Sequence, residues 1–331
     1  MVDAVLLNRY LGAMVGVHVG DAIGAPYETW GPKKIAQDIE NRGGLTFFDY
    51  ENPWKHELGP KILPAGRPTD DSDQTADLAH SLIECSGLDT EHLREALRDS
   101  VVRHKSRLWD GTALGAGGTT KKALSDDPKE VEAAMQNNIG TNGSLMRCMP
   151  LSLFLFNKVS DKTIARWDYV VDDMSAVTHA HTHAKQACRE HFFLTWGILL
   201  GSNMQELREQ ICSGNSRQSM LGRRVGLLLE DHSCFPIDPG AWPARGTAEF
   251  SLYAAMWCFL HSTSFEDGIE KAVRIGGDTD TYAAIAGGLL GAYYGYDAIP
   301  TKWKNTILGH DVMVGYAEKL HEMGQAETVL S

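Results

Sequence analysis

Several features are scarce or missing from this 331-residue chain. Its six cysteines, at positions 85, 148, 188, 212, 234 and 258, form no CxxC pair, which argues against a disulfide framework and for reduced, mostly packed thiols in a cytoplasmic protein. Basic residues are outnumbered, 31 against 43 acidic, leaving a net charge of −12. Bulk nucleic-acid binding needs the opposite sign and is not expected. The uncharged run Thr281 to Tyr296 is too short to span a bilayer, so no membrane partner is expected either. Asp3 precedes the first apolar stretch and no basic region stands there, so a secretory signal is not expected. Alternating apolar and polar residues, the mark of a half-buried strand, are also wanting.

What is present reads as helix. With 43% hydrophobic and 22% charged residues the chain can bury a sizeable core. Apolar residues recur at spacings of three and four, as in Leu6, Leu7, Tyr10, Leu11 and Met14, and again in Leu252, Ala255, Met256 and Phe259. Pro- and Gly-rich irregular stretches cover about residues 26 to 68 and 230 to 246, and long loops of this kind tend to be functional. No polar linker or repeat divides the chain, so we read residues 1–331 as one all-α domain.

Two acidic clusters stand at expected helix starts. In "RPTDDSDQTADLAHSL", Pro68 holds Arg67 extended and the helical pattern begins at once, putting Thr69, Asp70 and Asp71 at a helix N-terminus. Read alone, this stretch favours a capping box of Asp71 with Gln74 over a metal site. Asp278, Thr279, Asp280 and Thr281 repeat the arrangement after Gly276 and Gly277. Together the clusters offer four carboxylates and threonine hydroxyls. That all-oxygen set suits Mg²⁺ or Mn²⁺, with two divalent ions balancing the charge. Carboxylates so close would otherwise raise one another's pKa. Nothing in their spacing, roughly two hundred residues, brings them together.

Other stretches offer donors. "GTNGSLMR" places Gly140, Asn142, Gly143 and Ser144 before a helical run expected to begin near Leu145; its backbone N–H groups suit a phosphate or a ribose, and a Gly-Asn turn explains it equally well. "RLWDGTALGAGGTTKKAL" is a second glycine-rich approach to a helix. His179 and His183 fall four apart, as on one helix face, without the Glu of an HExxH zinc motif, so a polar contact from His179 to a ligand is the better reading. In "GDAIGAPYE", Gly20 and Gly24 are read as permitting a bend that brings Asp21 and Glu28 onto a turn.

Taken in order, "GDAIGAPYE", "PTDDSDQ", "GTNGSLMR", "THAH" and "GGDTDTYAAIAGGLLGA" resemble the successive signatures of the ADP-ribosylglycohydrolase family, over residues 12 to about 295. The resemblance implies an all-α orthogonal helical bundle with two Mg²⁺ ions, for which Mn²⁺ can substitute. It matches Thr69, Asp70, Asp71, Asp278, Asp280 and Thr281 to metal ligands, and Gly140, Asn142, Gly143, Ser144, Leu145, Met146, His179 and Gly277 to the substrate cleft. Glu28 matches a flap residue that helps activate water, and Glu28, Asp71 or Asp278 would take the water's proton. The implied reaction is hydrolysis of the bond between ADP-ribose and an acceptor, most simply a protein side chain. A noncatalytic ADP-ribose reader and a two-metal phosphoesterase are the alternatives. The chain departs from the pattern at Ala116, where some members carry an acid, and Asp73 is an extra carboxylate.

Overall fold

The computed structural model describes residues 2–59, 61–136, 139–156, 158, 167–212 and 246–328. Most of the 230–246 loop, including Trp242 and Cys234, lies outside them. The architecture is the expected all-α class. Its β structure among the described residues is an antiparallel pair of two-residue strands, Tyr50–Glu51 and Ile62–Leu63, and two isolated bridges.

Helix α1 (Val2–Gly24) is followed by α2 (Pro32–Arg42), the short α3 (Lys55–Leu58), α4 (Asp70–Cys85) and α5 (Thr90–Val101). Next come α6 (Gly118–Ala123), α7 (Pro128–Met135), α8 (Met149–Phe156), α9 (Asp168–Ala176), α10 (Thr182–Leu200) and α11 (Met204–Cys212). Beyond residue 245 lie α12 (Ala248–Leu260), α13 (Phe265–Arg274), α14 (Thr279–Tyr294), α15 (Thr301–Lys304) and α16 (His310–Thr328). Local chemistry sets several of these ends. Asp89, Thr247 and Ser264 cap α5, α12 and α13 by accepting backbone N–H bonds, and Gly43 and Gly201 close α2 and α10 in the left-handed region. One apolar cluster runs from Tyr10 to Leu320 and takes in residues of most of the helices.

The centre of the bundle is the crossing of α1 and α14. Along α1, Gly12, Gly16, Gly20 and Gly24 follow one another at every fourth position. A Cβ on any of them would overlap a backbone carbonyl of α14, at Gly291, Gly287, Ala283 and Thr279 respectively. The pairing runs antiparallel, so the end of α1 lies against the start of α14. Close approach, which only glycine permits here, therefore brings the two regions together. It also corrects one expectation: Gly20 and Gly24 lie within the helix and serve this contact, and the chain turns after residue 24.

Two further boundaries differ from expectation. The helix after "GTNGSLMR" starts at Met149 rather than near Leu145, because residues 143 to 147 form turns. Helix α10 starts at Thr182, so His179 precedes it and does not share a helix face with His183; His181 caps it by accepting from the His183 N–H.

Candidate active site

Helix α4 enters the core acidic end first. Asp70, Asp71 and Asp73 are all buried, yet Thr69, its N-cap, makes no side-chain cap. The capping box expected for Asp71 and Gln74 is not formed. Gln74 instead donates to Asp70 Oδ2 at 2.6 Å. The capping comes from another helix: Asp21 of α1 accepts from the N–H groups of Thr69 and Ser72 at 2.9 and 3.0 Å, and from both their hydroxyls. A carboxylate at a helix N-terminus is well placed against the helix dipole. Asp21 therefore fixes where α4 begins relative to α1.

The second cluster arrives on α14. Gly276 and Gly277, at φ +76° and +87°, turn the chain through the left-handed region ahead of Asp278. The turn is pinned to the Glu28 flap by paired backbone bonds, Thr29 N–H to Gly277 O at 2.7 Å and Gly277 N–H to Trp30 O at 3.0 Å. Asn142 reaches across to donate to Asp278 Oδ2 at 2.8 Å.

The two clusters meet. Thr281 donates to Asp71 Oδ2 at 3.4 Å across 210 residues of sequence. Oxygens of Asp21, Asp71 and Asp280 lie within 4.8 Å of one another, as do those of Glu28, Asp278 and Asp280. The first trio includes Asp21 by distance, but its oxygens are already occupied by four donors, so we count it as a support of the cluster.

These carboxyls are poorly solvated and close together. Burial, followed by the charges of neighbouring acids, raises Asp70, Asp71 and Asp280 well above the usual carboxylate range. Asp278 is raised by burial, and Glu28 is pushed up to about 8 by burial and then by Asp278. Asp71 Oδ1 is buried with no hydrogen-bond partner. An orphaned buried oxygen amid like charges is costly unless a cation takes it up, so the donor set fits a hard divalent metal centre.

A cavity of about 390 Å³ opens over this cluster, a volume within the small-molecule range. Glu28, Asp70, Asp71, Asp278, Asp280 and Thr281 line it, together with Asn142, Gly143, Met146, His179 and Gly277. Of the remaining expected site residues, Thr69 is not in the lining, its hydroxyl standing 2.6 Å from Asp21 Oδ1 and 3.4 Å from Asp71 Oδ2, and Ser144 is turned away to Ser175 at 2.8 Å. Gly140 packs against His181 and His183, and Leu145 belongs to the apolar core. The glycine-rich segment contributes Gly115, Gly117 and Gly118 with Thr119 and Thr120; Ala116 is not in the lining. Asp73 is no surface residue: it is buried and accepts from Ser106 at 2.6 Å. Trp54 packs in a small satellite cluster and Trp109 lies under Arg67.

Sequence reasoning missed Asp21 as a support of the acidic cluster. It is a charged residue inside an apolar run, "VGVHVGDAIG", and that was the available signal.

Fold and cavity together describe a helical protein built around an acidic centre of the metal-binding type. The ADP-ribosylglycohydrolase family profile matches residues 3–329, and the chain belongs to that family. The ADP-ribosylarginine hydrolase Tri1 of Serratia proteamaculans (strain 568) is 28% identical over 332 aligned positions, covering 97% of this chain and 81% of that protein. The ADP-ribosyl-[dinitrogen reductase] glycohydrolase of Rhodospirillum rubrum is 26% identical, covering 89% of each. Human ADP-ribosylhydrolase ARH3 is 26% identical over 96% of this chain and 94% of its own. Among solved structures, one described as an ADP-ribosylglycohydrolase-related protein complex superposes with a TM-score of 0.71 at 29% identity, covering 96% of this chain and 99% of that one. The chain is thus an ADP-ribosyl hydrolase by class.

Proposed function

We propose that this protein releases ADP-ribose from a modified protein side chain by hydrolysis at the ribose C1″, and that two Mg²⁺ ions occupy the acidic cluster. The observation that carries the reading is the meeting of Asp70 and Asp71 with Asp278 and Asp280 at the floor of one cavity. Charge supports the cations. The lining holds five carboxylates and no Lys or Arg among the described residues, so an anionic pyrophosphate ligand would be repelled unless divalent ions reversed the local field.

In this proposal Asp70, Asp71, Asp278 and Asp280 hold the ions, with Thr69 and Thr281 contributing hydroxyls. When bound, Mg²⁺ supplies charge neutralisation, a grip on the ribose hydroxyls and polarisation of water. The chain's own groups do the rest. Glu28, on the flap beside Asp278, accepts the water's proton; burial and Asp278 favour its protonated form in the metal-free site, and bound cations would displace that proton and leave the carboxylate free to act as the base. Asn142 and the backbone of Gly143 orient the nucleotide part, while Met146 gives it an apolar contact. The proposed unit is the whole of residues 1–331, since the lining runs from residue 28 to residue 281.

The test is a panel of arginine- and serine-linked ADP-ribosyl peptides with Mg²⁺ or with chelator, scoring free ADP-ribose. Asp278→Asn is expected to cut turnover by about 10²-fold or more, the usual loss for an electrostatic group acting on the transition state. Full activity in Asp278→Asn rejects the assignment. Products of AMP and ribose phosphate would point to phosphoester cleavage, and binding without release to a reader.

A further inference from the structure

Arg147 is fully buried, at 0% exposure, and among the described residues no carboxylate pairs with it directly. A desolvated cation is expensive, and this one is held entirely by neutral oxygens. Nη1 donates to Gln74 Oε1 at 2.9 Å and to the Gly143 carbonyl at 3.0 Å; Nη2 donates to Thr178 Oγ1 at 2.7 Å. Each of these partners leads to a group in the cleft. Gln74 passes on to Asp70, Gly143 is itself in the lining, and Thr178 Oγ1 lies 2.7 Å from His179 Nδ1.

Guanidinium has donors and no acceptor, which gives the network a direction. Gln74 must turn its carbonyl oxygen to Arg147, so its amide NH₂ faces Asp70 and occupies one carboxylate oxygen. Thr178 accepts from Arg147, and His179 Nδ1 is the other hydrogen-bond partner of that hydroxyl among the described residues, so its hydrogen is satisfied by pointing there. An imidazole whose Nδ1 accepts carries its proton on Nε2. That nitrogen would lie 3.1 Å from a Cβ built on Gly143, at the cavity wall. We propose that Arg147 is a positioning residue: through Thr178 it fixes His179 as an Nε2–H donor facing the cleft, and through Gln74 it orients Asp70. The inference rests on the ADP-ribose cleft proposed above and specifies its recognition chemistry. His179 receives an acceptor oxygen of the ligand, a phosphate or ribose oxygen, and does not select for a donor. Burial lowers the His179 pKa to about 3 and the nearby guanidinium acts in the same sense, so the ring stays neutral and the direction holds across the working pH range.

The experiment is ¹⁵N NMR of histidine-labelled full-length protein, with and without Thr178→Val, alongside titration of Mg²⁺ and of free ADP-ribose. Wild type should show His179 with bare Nδ1 and protonated Nε2. Thr178→Val should lose that fixed tautomer and weaken ADP-ribose about tenfold, the equivalent of 1.4 kcal/mol, while leaving Mg²⁺ affinity unchanged. Arg147→Lys, which cannot fork to three acceptors, should also weaken Mg²⁺ about tenfold or more, as expected when support to a metal ligand is removed. A wild-type His179 protonated on Nδ1 overturns the proposal without any variant, as does a Thr178→Val protein with unchanged tautomer and affinity. If free ADP-ribose fails to bind wild type in Mg²⁺, the substrate reading falls, and the wild-type spectrum still decides the relay.

Discussion

Asp21 shows how one side chain sets a site it does not line. Four donors from Thr69 and Ser72 converge on it, and hydrogen bonds to a charged group are worth about 1.5–3 kcal/mol each. Asp21→Ala strands two backbone N–H groups in the core, so it should cost about 3 kcal/mol or more in urea denaturation; a loss under about 1 kcal/mol would mean that α4 has another cap. Asp21→Asn keeps one accepting oxygen and should cost less. At this scale the sequence was legible where charge clustered, as at Asp70, Asp71, Asp278 and Asp280. It was opaque where a single charge worked through neighbours. Gln74 looked like a local cap because nothing in its own stretch reveals that Arg147, 73 residues away, takes its carbonyl oxygen and turns its amide to Asp70.

Among the elements, the α1–α14 crossing decides the geometry. A methyl on Gly16 would lie 2.1 Å from the Gly287 carbonyl oxygen, a backbone group that has no rotamer to escape to, with the Phe265 ring 3.3 Å away. Overpacking of this kind costs about 1–3 kcal/mol and sometimes more. Gly16→Ala should therefore lower the melting temperature and, by shifting the end of α1 against Asp280, weaken Mg²⁺. Gly315 is the control. It lies in α16 with nothing near its missing Cβ, and Gly315→Ala should stabilise by up to about 1 kcal/mol through helix propensity. Equal effects from both substitutions would refute the crossing as the origin. The helical periodicity made the elements readable, but the fourth-residue glycines were read as a bend at Gly20 and Gly24. A stripe of small residues acquires its meaning from the partner helix, and the partner is far away in sequence. The His179–His183 reading failed for a related reason: spacing implies a shared face only if the helix has already begun.

For the whole molecule, the acidic cluster links stability to pH and to metal. Carboxyls raised in the folded, metal-free chain bind protons there that the unfolded chain releases, from its ordinary range near 4 up to about 8 for Glu28. Over that window the folded state holds more protons, so stability should fall as pH rises, and flatten below it. Divalent ions compete with those protons, so their stabilisation should grow with pH. Melting in chelator and in Mg²⁺ across about pH 5 to 8 should show a widening gap, reaching about 2.7 kcal/mol at a hundredfold excess over the dissociation constant. A constant gap would place the metal away from these carboxyls. No described helix is long and apolar enough to cross a membrane.

Where α1 and α14 touch backbone to backbone, there are no rotamers to hop and no space for water to enter. Solvent deuterium should reach that seam last: the amides around Gly16 and Gly287 ought to exchange only when the entire chain opens, reporting global stability.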